Sequence, residues 1–146
     1  MELTEQIALL AAMTFLMIGL LSGVWKYMAI RSSPDARAPV YVDICHRASL
    51  LYAFACVLLE RMVKVSQLPE RIELPALAAP ILFFGLAIST YAVHGWLKDT
   101  ENQLKMPHRI GAWRLPPWAT TVFMIALIVG EVGGVAVLVV GVIVAL

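Results

Sequence analysis

Four stretches of this chain are apolar for the length of a bilayer crossing: residues 7–25, 44–63, 76–96 and 118–144. About twenty apolar residues in a helix cross a hydrocarbon core of about 30 Å. In lipid, every backbone N–H and C=O must find its partner within a helix or a closed barrel. The apolar runs are continuous rather than alternating, which excludes a barrel and leaves helices. The expected fold is all-α: a polytopic membrane protein, one four-transmembrane-helix bundle over residues 1–146. Composition points the same way, with 61% hydrophobic residues and 14% charged. A soluble domain of this size would lack the polar residues to coat itself. Disorder is excluded by the same apolar content.

The few charges orient the bundle. Four spans put residues 26–43 and 97–117 on one side, and both termini with residues 64–74 on the other. The first side, with its helix ends, carries eight Lys and Arg residues and the second carries three. That bias makes the first side cytoplasmic and the termini outside, as in a multi-pass protein of a bacterial inner membrane. Trp25, Tyr27, Trp96, Trp113 and Trp118 lie at the same border, as an aromatic belt would. The first span follows the acidic Glu2 and Glu5 rather than a basic lead-in, so it is expected to remain a span, not a signal peptide. A net charge of +1 gives no basic face for nucleic acid. Cys45 and Cys56 sit eleven positions apart on one helix, too far to bridge within a chain, and are expected as free thiols. No metal cluster, phosphate loop or nucleophile triad is present.

The second helix carries the candidate site. Between Arg47 and Glu60 the uncharged window is twelve residues, about 18 Å of helix, short of the hydrocarbon thickness. Intramembrane ionisable groups usually face a bundle interior, so this helix is expected to form the inner wall. Asp43 and Arg47 are four apart and can pair, and Asp43 could orient the His46 ring. Tyr52 belongs to a stripe with Cys45, Ser49, Cys56 and Glu60, which serves either helix packing or a ligand-facing wall. On the third helix Thr90, His94 and Lys98 form a row with Tyr91 beside it, and Pro80 is expected to kink the helix. His46 and His94 lie at similar depth, either as axial ligands to a haem b or as interfacial hydrogen-bonding groups. His108 is expected to be solvated. The ligand-binding set is therefore Arg47, His46, Tyr52, Tyr91 and His94, with no catalytic residue and no metal site assigned.

On the fourth helix Glu131 is the only charge between Ala119 and Leu146. It lies about 20 Å in by helical rise. A buried acid there is expected to be neutral or paired, and Arg61 and Glu60 lie at comparable depth. It serves either as a proton-accepting or substrate-binding acid, or as a hydrogen bond fixing helix register. Around it Ala126, Gly130, Gly134 and Gly141 form a small-residue face for close approach of another helix, in the same chain or another copy.

Four spans in about 150 residues, outside termini, a long basic first cytoplasmic loop and Arg47-Ala48 at the start of helix two form a combination. So do residues 6–14 in the first helix, and Tyr91, Gly95, Trp96 and Lys98 at the end of the third. Together they resemble the MAPEG family of membrane proteins in eicosanoid and glutathione metabolism. The resemblance implies a trimer with a lipid-facing cleft between subunits, and Arg47 as a carboxylate contact. Leu51 and Phe54 stand where the family's helix-two pattern has Asn and Glu, which counts against glutathione as a ligand. Three functions follow. The first is binding or modification of a lipophilic molecule at the cytoplasmic membrane face by a homo-oligomer. The second is an accessory subunit among other membrane proteins. The third is a haem b electron carrier.

Overall fold

The computed structural model describes residues 1–146 and is a bundle of four long helices. They are α1 (Leu3–Arg31), α2 (Val40–Val65), α3 (Glu70–Leu97) and α4 (Pro117–Ala145). All four are long and apolar enough to cross a membrane. Each outruns its apolar stretch, because helical hydrogen bonding continues into the polar ends where hydropathy falls. Pro39, Pro69 and Pro116 immediately precede α2, α3 and α4. Proline fixes φ and lacks an N–H that the first turn would leave unpaired, so it marks an entry well. Inside α3, Pro75 and Pro80 do not interrupt the helix.

The helices pack through small residues. Ala8, Ala12, Gly19 and Ser22 recur along one face of α1, with Phe15 among them, and all are buried. They meet the buried row Cys45, Ser49, Ala53 and Cys56 of α2. Dispersion and close backbone approach drive such contacts in lipid, where apolar burial adds little. Gly19 admits Leu50, and Gly23 admits the His46 ring. The two cysteines are buried and free. At the end carrying the termini, the buried Thr4 hydroxyl donates to Glu73 at 2.9 Å, tying α1 to α3.

The glycine face of α4 turns inward, onto its own chain. A side chain at Gly134 would strike the Ala76 carbonyl and Pro80, and one at Gly141 would strike Ser66 and Leu68. Gly134, Leu138 and Gly141 are the only buried residues of α4. Phe123, Met124, Leu127, Glu131 and Val135 are half-buried beside them, and the opposite face of α4 is apolar and exposed.

The α3–α4 connection holds a small hairpin, β1 (Arg109–Ile110) and β2 (Trp113–Arg114), paired antiparallel. Gly111 turns it with φ +59°, a left-handed conformation that suits glycine. The hairpin is too short to show a strand period in the sequence. It folds back across the end of the bundle, opposite the termini.

Candidate functional site

At the last turn of α3, His94 is only 5% exposed. Lys98 ends the helix in a left-handed conformation, φ 51°, and this reversal returns Asp99 to the histidine. The His94 Nδ1–H donates to Asp99 Oδ1 at 2.8 Å. The second Asp99 oxygen accepts the Gly111 N–H at 2.5 Å. Burial works against the Asp99 carboxylate, but the Gly111 N–H and the His94 ring together hold its pKa below the usual carboxylate value. Tyr41 of α2 packs on the His94 ring at 5.1 Å and stacks on Tyr91 at 6.0 Å. Its hydroxyl accepts the Gln103 N–H at 2.6 Å, which pins the connecting loop to α2.

A cavity of about 260 Å³ opens beside this node, between the end of α3, the hairpin and the start of α4. That is just below the range of about 300–1,000 Å³ common for small-molecule pockets. His94, His108 and Arg109 are among its polar lining residues, and Leu115, Phe123 and Met124 among its apolar ones. With Nδ1 committed to Asp99, His94 Nε2 has no hydrogen-bond partner in the protein, and the residue lines both this cavity and a neighbouring one walled by Tyr41, Lys98 and Asp99. His108, expected in solvent, is half-buried, with Nδ1 at 3.2 Å from the Gln103 carbonyl.

Deeper in the bundle Tyr52 stacks on Phe84 at 4.2 Å and 7°. Tyr52 and Tyr91 meet, and Glu131 of α4 lies within electrostatic reach of both. Glu131 Oε1 is shielded and has no hydrogen-bond partner. The expected partner Arg61 is exposed and makes no ion pair. Tyr41, Tyr91 and Tyr52 thus run as an aromatic file from the His94 node toward this acid.

His46 and Arg47 lie elsewhere. The His46 ring rests on Gly23, and its Nδ1–H donates to the Gly19 carbonyl at 2.8 Å. Asp43 does not orient this ring. It is occupied by Lys26 at 2.5 Å and by Arg47 at 2.8 Å. The Asp43–Arg47 pair expected from helical spacing is therefore present. Arg47 is 65% exposed, so its ion pair contributes little. A basic groove with Arg37 and Lys98 on its walls runs alongside.

The five candidate residues accordingly fall into two groups. His94, Tyr91 and Tyr52 share one file with Glu131, and His46 and Arg47 belong to the α1–α2 seam. Tyr41 and His46 are five positions apart on α2, about 140° around the helix axis. His94 packs on Tyr41, so the two histidines address different faces and do not form a ligand pair within one chain. Sequence reasoning missed Asp99, Tyr41 and the part of His108. Tyr41 falls at the interfacial start of α2, and its aromatic character was the one available signal.

The chain matches no family model, no curated protein and no solved structure.

Proposed function

We propose that this chain is a small membrane-embedded protein that binds a lipophilic small molecule at the hairpin end of its bundle and acts on it there. The observation that carries the reading is the cavity beside His94, lined by both polar and apolar side chains. A pocket of this kind orients a ligand by a few fixed polar groups and holds it by apolar contact. The likeness to the MAPEG family is then one of architecture. Leu51 and Phe54, at the positions where that family has Asn and Glu, are 68% and 71% exposed. They suit a lipid-facing or copy-facing surface rather than a glutathione site. The test is photolabelling of the purified chain with a diazirine-bearing long-chain ketone. Saturable label in residues 117–124, lost in Thr120→Trp, is expected. Labelling that does not saturate and spreads over all four helices overturns the reading.

One observation favours a second reading. The Gly19 carbonyl fixes the His46 proton on Nδ1, leaving Nε2 bare, as in many metal-bound histidines. In that reading His46 would hold a haem b through Nε2, and the group would supply one-electron transfer. A Soret band in protein supplied with haem, lost in His46→Ala, would support it. Absence of the band ends it.

A further inference from the structure

We propose that His94 is a general base for lipophilic carbon acids, compounds with a C–H next to a carbonyl, and that Asp99 is its positioning residue. The proposal deepens the cavity reading and rests on it. His94 lines the cavity with one ring nitrogen bound to a carboxylate and the other without a hydrogen-bond partner in the protein. The Asp99 carboxylate can only accept, so the proton sits on Nδ1 and the Nε2 lone pair faces the ligand. The second Asp99 oxygen is held by the Gly111 N–H, so the carboxylate cannot turn away. Tyr41 covers the ring face. The base is therefore fixed in tautomer and orientation before any ligand arrives, which is what proton abstraction requires.

The other residues on the cavity wall narrow the chemistry. No serine, cysteine or carboxylate lines it, the Thr90 hydroxyl is turned back onto the Ala87 carbonyl, and the other hydroxyl, Thr120, makes no hydrogen bond to a base that would activate it. Proton transfer suits this inventory better than a covalent intermediate. Arg109 is the one cation on the wall. In the step, the substrate C–H gives its proton to His94 Nε2. The electron pair moves into the carbonyl, making an enolate whose oxygen Arg109 can face. The imidazolium then returns the proton, to the same carbon or to one conjugated with it. Atoms and electrons balance without any oxidant, reductant or co-reactant, and the net result is isomerisation.

Replacing Asp99 by Asn tests the tautomer directly. The Gly111 N–H needs an acceptor, so the Asn amide oxygen takes that position and its NH2 faces His94. Nδ1 must then accept, which moves the ring proton to Nε2 and removes the base. The probe is 5-nitrobenzisoxazole, an apolar carbon acid. Loss of its C–H proton to a base breaks its N–O bond and releases a coloured cyanonitrophenolate. Full-length protein in detergent micelles is expected to accelerate this reaction saturably over micelles alone. Asp99→Asn is expected to lower kcat about 100-fold or more with KM nearly kept, and His94→Gln to return the rate to that of micelles. Nitrogen-15 NMR of the histidines is expected to show the Nδ1-protonated form of His94 in the parent and the Nε2-protonated form in Asp99→Asn. An unchanged kcat in Asp99→Asn, or an unchanged tautomer, overturns the proposal even if His94→Gln does not fold. If the probe displaces the photolabel but reacts no faster than in micelles, the base is wrong and the binding reading stands. If it displaces nothing and no label saturates, the cavity reading itself has failed.

Discussion

The α1–α2 seam and the α3–α4 seam are both built on glycine, yet they treat polar groups differently. Between α1 and α2, Gly19 and Gly23 admit Leu50 and His46. Each polar side chain there has a partner: His46 Nδ1 the Gly19 carbonyl, Ser49 the Cys45 carbonyl, Asp43 two cations. Between α3 and α4, Gly134 brings the backbone onto the Ala76 carbonyl and Gly130 admits Phe83. Here, however, Glu131 keeps an unpartnered oxygen, and a cavity opens at the hairpin end. A satisfied seam is a scaffold. A seam with an unpaired buried acid retains a group that a ligand or a proton can use.

Four measurements would break or sharpen that contrast. The largest effect is expected at Gly134. Its Cβ would meet the Ala76 carbonyl, a backbone atom, at 2.5 Å. Gly134→Val should cost about 3 kcal/mol or more in detergent unfolding. Gly133→Val, with nothing within 4 Å of its Cβ, should be nearly neutral. Equal effects would mean that α4 does not dock as described.

Next is the α1–α2 seam. Gly23→Val drives against the His46 ring, whose nearest atom would lie at 2.9 Å from a Cβ. The expected loss is about 1–3 kcal/mol, with the His46–Gly19 hydrogen bond broken. Stability unchanged from the parent would show that the seam yields more easily than a closely packed one should.

Third is the pH dependence of the hairpin clamp. The folded state holds the Asp99 pKa below its ordinary value of 3.8. The unfolded chain therefore binds the proton first as pH falls. The clamp's contribution is full at neutral pH and is lost as pH drops below about 4 toward the lowered folded value. Protection of the Gly111 amide against hydrogen exchange should fall in that window by about tenfold, and Asp99→Asn should abolish the pH dependence.

The smallest effect is expected at Glu131. Its Oε1 has no partner to lose, so Glu131→Gln should change stability by less than about 1 kcal/mol. Thr4→Ala breaks the buried bond to Glu73 and should cost about 1 kcal/mol or more. The reverse order would mean that Glu131 is a structural tie after all.

The four helices were legible because hydropathy over twenty residues is a strong signal, and the prolines at their entries reinforce it. The Asp43–Arg47 pair was legible from helical spacing alone. Asp99 was not. It lies five positions after His94, off the helical period, and reaches the ring only because Lys98 is left-handed. Nothing in a lysine announces that conformation. The partner of His46 was hidden for a related reason: it is a backbone carbonyl of Gly19, and a carbonyl carries no residue type to recognise. The glycine face of α4 was visible as spacing, but its partner, the Ala76 and Pro80 turn of α3, is a property of the packed chain.

The cavity takes its far wall from Leu115, Phe123 and Met124, on the hairpin and the first turns of α4. The His94–Asp99–Gly111 clamp, by contrast, is complete before α4 begins. Synthesis runs from α1 to α4, so the histidine can be set in its tautomer while the pocket has no roof. Docking of α4 then closes it, and assembly of the site becomes a report that the fourth helix has joined the bundle.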